Sequence, residues 1–211
     1  MEDLQAVALL SDPVRRALYD FVAGSGREIG REEAARAAGV QRTLAAFHLD
    51  KLVEGGLLES GFARLGGRSG GPGSGRPAKV YRRAVTERTV SVPPRDYRTV
   101  ALVLAEVVDR LGGDELAEAA ARRVGARFAG AGPLEDALRE RGYEPYRDGD
   151  RLRLRNCPFH VLSEEHPLLV CSMNLALCRG LVEGLGEPET LVESDPRRGE
   201  CCVSFSKNNE D

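Results

Sequence analysis

The residues with the widest chemistry in this chain are its five cysteines and three histidines, and they are unevenly placed. Cys157, Cys171, Cys178, Cys201 and Cys202 all fall in the last third of the 211 residues, with His160 and His166 between the first two. Thiolate and imidazole are the soft and borderline donors that zinc and iron-sulfur centres use. No CxxC pair is present, so the arrangement is not a standard zinc knuckle. The remaining readings are buried structural thiols, a metal or cluster site, or a redox-sensing thiol, since a disulfide scaffold is not expected in a cytosolic chain of this size.

The elements that carry these residues narrow the choice. Leu168, Cys171, Leu175, Cys178, Val182 and Leu185 share one stripe of a helix over residues 168–184. Cys171 and Cys178 are two turns apart on it, about 10.5 Å along the axis. Bonds of roughly 2.3 Å do not join both to one zinc, and Cys178 reads equally well as a small core hydrophobe. In a strand over residues 201–206, Cys201 shares a face with Val203 and Phe205, whereas Cys202 shares one with Ser204 and Ser206. Parity therefore turns Cys201 inward. Further strands are expected over 143–147, 151–156 and 190–194. Leu152 and Leu154 should point inward and three arginines (Arg151, Arg153 and Arg155) outward, around the turn Asp148-Gly149-Asp150. A short helix or turn is expected from Pro158 to Glu165.

The first part of the chain reads differently. A helix over residues 5–24 breaks at Ser11-Asp12-Pro13, where Ser or Asp can cap and Pro is tolerated at the first helical position. Short helices over 31–37 and 41–54, joined at Ala38-Gly39-Val40, must cross sharply, and strands over 57–63 and 78–84 flank a Gly-rich, basic hairpin tip. Val40, Ala45, Leu49 and Leu52 turn one side of the second helix inward. Gln41, Arg42, Thr43, Ala46, Phe47 and Asp50 are left near its outward or N-terminal side. Such a helix fits a DNA major groove: Arg42 can donate to guanine, Gln41 or Thr43 can meet a base edge or phosphate, and Ala46 permits close approach. Phe47 either contacts a thymine methyl or completes the core. Arg64, Arg68, Arg76, Lys79, Arg82 and Arg83 concentrate positive charge on or beside the hairpin, as expected of a wing that follows the phosphate backbone or enters the minor groove. Residues 1–85 carry 13 Lys and Arg against 10 Asp and Glu, and residues 86–211 carry 17 against 23, so a basic module precedes an acidic one. Between the modules, Tyr97, Val100, Ala101, Leu104, Val108 and Leu111 recur at helical spacing over 95–111, with further helices over 114–129 and 133–141.

Three segments carry a family resemblance. They are Leu10-Ser11-Asp12-Pro13-Val14-Arg15-Arg16, the run from Phe47 and His48 through Lys51 to Leu58, and Gly75-Arg76-Pro77-Ala78-Lys79-Val80-Tyr81. Over about residues 5–85 the chain resembles the bacterial ArsR-like winged helix-turn-helix regulators, in which His48-Leu49 would sit where the recognition helix packs on its domain. The segments Asn156-Cys157-Pro158-Phe159-His160 and His166 to Cys171, followed by Cys201, resemble the sensor domain of SufR-type repressors of iron-sulfur assembly genes. That likeness implies a homodimer on a palindromic DNA operator, with an iron-sulfur cluster on Cys157, Cys171 and Cys201. The family's additional cysteine is not at its usual place, so the fourth ligand is open among His160, His166, Cys178, Cys202 and an exogenous group. Zinc, another metal or no metal also stay open. Helices at 95–111 and 4–10 are the candidate dimer surfaces.

The expected class is α+β: a winged helix-turn-helix domain over residues 1–86, linker and dimerisation helices over 87–130, and an α+β cysteine-containing sensor domain over 131–211. The expected function is a homodimeric DNA-binding transcriptional repressor controlled by an iron-sulfur cluster. The alternative is a winged-helix regulator of zinc or a small organic ligand, with structural cysteines. An enzyme is not expected, because the glycines at 66–75 lack the Lys-Ser/Thr ending and strand-to-helix setting of a nucleotide loop. The acidic start and the short apolar runs predict neither a signal peptide nor a membrane helix, hence a cytoplasmic protein.

Overall fold

The computed structural model describes residues 2–63 and 77–206. The chain is α+β, with two small antiparallel sheets, and it divides between Arg95 and Asp96 into two compact units.

In the first unit, helix α1 (Glu2–Ala8) runs through a 3-10 turn (Leu9–Ser11) into α2 (Pro13–Gly24). The break lies where the sequence placed it: Pro13 opens α2, and Asp12 caps it by accepting the Arg15 N–H at 2.9 Å. Helix α3 (Arg31–Ala37) turns into α4 (Arg42–Glu54) at Gly39, whose φ of 65° suits a residue without Cβ. Strands β2 (Leu58–Ala63) and β3 (Ala78–Arg83) pair over six residues, and β1 (Ile29–Gly30) adds a third strand on the other side of β3. Sequence reading missed β1, because two residues are too few to show alternation. Leu18, Val22, Ile29, Ala34, Ala45, Leu49, Leu52, Leu58 and Tyr81 form the buried core beneath.

In the second unit, α5 (Tyr97–Leu111), α6 (Asp114–Ala126) and α7 (Leu134–Glu140) precede a sheet of β4 (Pro145–Asp148), β5 (Arg151–Leu154), β6 (Val192–Ser194) and β7 (Val203–Phe205), in the order β4-β5-β7-β6. Helices α8 (His160–Glu165) and α9 (Pro167–Gly184) connect β5 to β6, with a 3-10 turn (Glu189–Leu191) before β6. Leu138, Tyr143, Leu152, Leu154, Cys178, Leu181, Val192, Val203 and Phe205 make the core between α9 and the sheet. Helix α6 lies directly on α9: a Cβ on Gly125 would fall 1.9 Å from the Leu177 carbonyl oxygen, and one on Gly180 would fall 2.0 Å from that of Arg122. Among the described residues, no helix is long and apolar enough to cross a membrane.

Two expectations for this unit are corrected. Arg153 was expected outward with Arg151 and Arg155, yet its side chain is 1% exposed. β5 is an inner strand, and its far face is closed by acids: the Arg153 guanidinium bonds the Asp195 carboxylate and lies 3.4 Å from that of Asp148 and 3.6 Å from that of Glu200. The last strand begins at Val203, not at residue 201; Cys201 is buried as expected, but Ser204, on the supposed outward face, is buried as well.

Candidate functional site

Two surfaces collect the predicted site residues. The first is the N-terminal part of α4. Ala45, His48, Leu49 and Leu52 are buried, while Gln41, Arg42, Thr43, Leu44 and Phe47 are exposed and Ala46 is half-buried. Phe47, left open between groove and core by the sequence, is 58% exposed and meets the His48 ring edge-on. The first turn of α4 has no acidic residue, and the Gln41 side chain makes no capping bond, so the helix presents free N–H groups beside Arg42.

The cations around this surface are not equally free. Asp50 gathers Lys79 Nζ at 2.8 Å, the Tyr81 hydroxyl at 2.7 Å and the Arg31 guanidinium at 3.0 Å. Burial works to raise the Asp50 pKa, but the hydrogen bonds from Lys79 and Tyr81, with the charges of Lys79 and Arg31, outweigh it and hold the carboxyl below its ordinary value. Burial and the bond to Asp50 push the Tyr81 phenol up to about 12. Arg82 pairs with Glu59 at 2.8 Å and Lys51 with Glu54 at 2.7 Å. Arg64, Arg68 and Arg76 lie outside the described residues. Among the described residues, no acid pairs with Arg42.

The second surface is the thiol group of the C-terminal unit. Cys157 follows β5, Cys171 lies in the second turn of α9, and Cys201 and Cys202 precede β7. The Cys201 N–H donates to the Leu154 carbonyl at 3.0 Å, and the Cys202 carbonyl accepts from the Asp195 N–H at 2.7 Å, so the end of β5 and the entry to β7 are drawn together. The thiols act on one another's protonation in sequence, Cys157 with Cys201, Cys201 with Cys202, and Cys202 with Cys171. All are free thiols.

The interaction with Cys201 lowers the Cys157 pKa against the opposing effect of burial. The same interaction, with burial, raises Cys201 to about 11, and burial with the Cys202 interaction raises Cys171 to about 11. The interaction with Cys201, with burial, also moves Cys202 up. Asn174, buried one turn beyond Cys171, accepts from the Tyr143 hydroxyl and donates its Nδ2–H to Cys201 Sγ at 3.2 Å.

The other expected ligands have partners of their own. Cys178 is fully buried against Tyr143 and Asn174, where burial drives its pKa up. His160 is exposed and lies 3.4 Å from Glu164, and His166 pairs with Asp109 at 2.5 Å. Cys202, which parity turned outward, is half-buried. Among the described residues, no three His, Cys, Asp or Glu side chains are gathered as a single metal ion requires.

Helix α5 is a third exposed feature. It buries no residue, and Tyr97, Val100, Val103, Leu104, Val107 and Leu111 on it are exposed. Comparison with protein-family models, with curated proteins and with solved structures gave no match.

Proposed function

We propose that this chain is a homodimeric, sequence-specific DNA-binding transcriptional repressor of the winged helix-turn-helix kind, controlled by an iron-sulfur cluster in its C-terminal unit. The observation that carries the reading is the division of α4. One side is anchored in the core by Ala45, His48, Leu49 and Leu52, and the other offers Gln41, Arg42, Thr43 and Phe47 to a partner. Helix α4 follows α3 through a tight turn and precedes the β2–β3 hairpin, an order that fits a recognition helix with a wing. Arg42 supplies a cation for guanine, the helix N-terminus favours phosphate, and Phe47 supplies an apolar surface for a thymine methyl.

One such module makes few base contacts, and the exposed apolar face of α5 supports pairing with a second copy, which doubles them on a palindromic site. Cys157, Cys171, Cys201 and Cys202 are the residues that would hold the cluster, which would supply a state that changes with oxidation and iron supply. Asn174 would orient Cys201 toward it through its N–H donor.

Duplex selection from a random pool with anaerobically purified protein, with iron and acid-labile sulfide counted per chain, tests the proposal. The expected result is iron and sulfide on the protein and a palindromic selected site. Arg42→Ala should bind that site about 10- to 100-fold more weakly, a cost of about 1–3 kcal/mol. Unchanged affinity in Arg42→Ala overturns the groove reading, and equal affinity of loaded and stripped protein overturns control by the cluster.

A further inference from the structure

Strand β6 ends the order β4-β5-β7-β6, so one side of it meets no other strand among the described residues. The Ser206 N–H donates to the Leu191 carbonyl at 2.8 Å, and the Asp195 N–H to the Cys202 carbonyl at 2.7 Å. Bonding pairs in an antiparallel ladder recur at every second residue. Glu193, midway between Leu191 and Asp195, therefore faces β7, and Val192 and Ser194 turn their backbone groups to the open side. The Val192 N–H is taken by the Glu189 carbonyl, which leaves the Val192 C=O and the N–H and C=O of Ser194 as the edge groups. Ser194 is exposed there.

A groove of about 410 Å³ lies along this edge, lined by Arg179 of α9 with Glu189, Thr190, Val192, Glu193 and Ser194. Its charges are not equally satisfied. Glu189 pairs with Arg122 at 2.7 Å and Glu193 with Arg151 at 2.6 Å, so both acids have cations of their own. Arg179 is half-buried, and among the described residues no acid pairs with it. A half-buried guanidinium beside open backbone donors and acceptors suits a ligand that brings a carboxylate and main-chain partners together.

We propose that the β6 edge and Arg179 form a docking site for an extended acidic segment of a partner protein, which adds to the sheet as an outer strand and sets an Asp or Glu carboxylate against Arg179. A second copy of this chain fits the edge less well. Pairing β6 with itself in the fullest antiparallel register matches Val192 with Ser194 and sets Glu193 opposite Glu193, a like-charge pair that opposes association. Side chains of an added strand alternate between its faces. Acids therefore belong at every second position of the segment, on the face that meets Arg179, and the residue between them, on the Glu193 face, is neutral or basic. The inference goes beyond the regulatory reading and stands without it, because neither Arg42 nor the thiols take part.

The test uses the full chain and fluorescent peptides of about eight residues, within the span of a strand. Their ends are blocked, and they alternate Thr with Glu, with Gln or with Lys. Anisotropy titration should show saturable binding of the Thr-Glu peptide, with the Gln and Lys peptides about 10-fold weaker for want of the charge-assisted bond. Arg179→Gln should weaken the Thr-Glu peptide by the same factor and remove its advantage over Thr-Gln. Ser194→Pro, which deletes an N–H that the sheet does not use, should weaken every peptide. Hydrogen exchange at the Ser194 amide, followed by NMR, should slow when the Thr-Glu peptide is bound. Absence of saturable binding, equal affinity for the Lys peptide, or unchanged affinity in Arg179→Gln overturns the proposal. Self-association of the free chain that protects the Ser194 amide also overturns it and gives the edge to a second copy.

Discussion

The two units each build a charged network on an inner strand of a sheet, β3 in the first and β5 in the second, and the two are inverse. In the N-terminal unit a single carboxylate, Asp50, is surrounded by Arg31, Lys79 and the Tyr81 hydroxyl, and its side chain is 37% exposed. In the C-terminal unit a single guanidinium, Arg153, is surrounded by Asp195, Asp148 and Glu200, and its side chain is 1% exposed. The first network is wet and leaves an excess of positive charge next to α4. In the second the cation is dry although its acids are 24–45% exposed, and the network borders the thiols directly, since Glu200 precedes Cys201 and the Asp195 N–H holds the Cys202 carbonyl. Water can replace a lost partner around Asp50 and has little access to the Arg153 guanidinium, so the two central charges contribute very differently to stability.

The sharpest way to break this contrast is Arg153→Met. Removing the buried cation leaves three acids facing one another, and chemical denaturation should show a loss of about 3 kcal/mol, with the thiols more accessible to alkylation. Asp50→Asn should cost less, about 1 kcal/mol, because Lys79 and Arg31 regain water. The same variant tests the sign of the pH dependence. The Asp50 pKa is lowered on folding, so its contribution is complete above the unfolded value of about 4 and is lost as pH falls through the lower folded value. The stability of Asp50→Asn should therefore fall less steeply than the parent's in that acid range. Smallest of all should be Glu59→Gln: its pair with Arg82 is 61% and 40% exposed, and the change in midpoint should correspond to less than about 0.5 kcal/mol. A Glu59 effect as large as that of Arg153 would show that burial is not what separates the networks.

Much of the local structure was legible because it depends on neighbours in sequence. The Asp12 cap, the Pro13 start, the Gly39 turn and the amphipathic spacing of α4 and α9 are short-range signals, and the helices lie within a few residues of where those signals fall. The same spacing put Ala45, Leu49 and Leu52 inside, as found, but not His48, which was counted among the DNA-contacting residues and is buried. The sequence left Arg153 facing water because alternation counts one face of a strand as solvent, and it cannot register acids arriving from residues 195 and 200. Cys202 was turned outward by a parity that holds only inside a strand, and the chain is not yet in β7 at that point. That the Cys201 backbone is drawn to the end of β5 follows from the pairing of β5 with β7, a contact between residues dozens of positions apart. The residues proposed as ligands could be listed from their chemistry, and partners such as Asn174 beside Cys201 could not.

The contact between α6 and α9 has a mechanical consequence. Where Gly125 and Gly180 let backbone touch backbone, no layer of rotamers lies between the helices to yield under load. The pair therefore behaves as one stiff beam, with Cys171 near one end of it. A push at that end is expressed as displacement of the whole beam, whereas a cushioned helix would dissipate it in side-chain repacking.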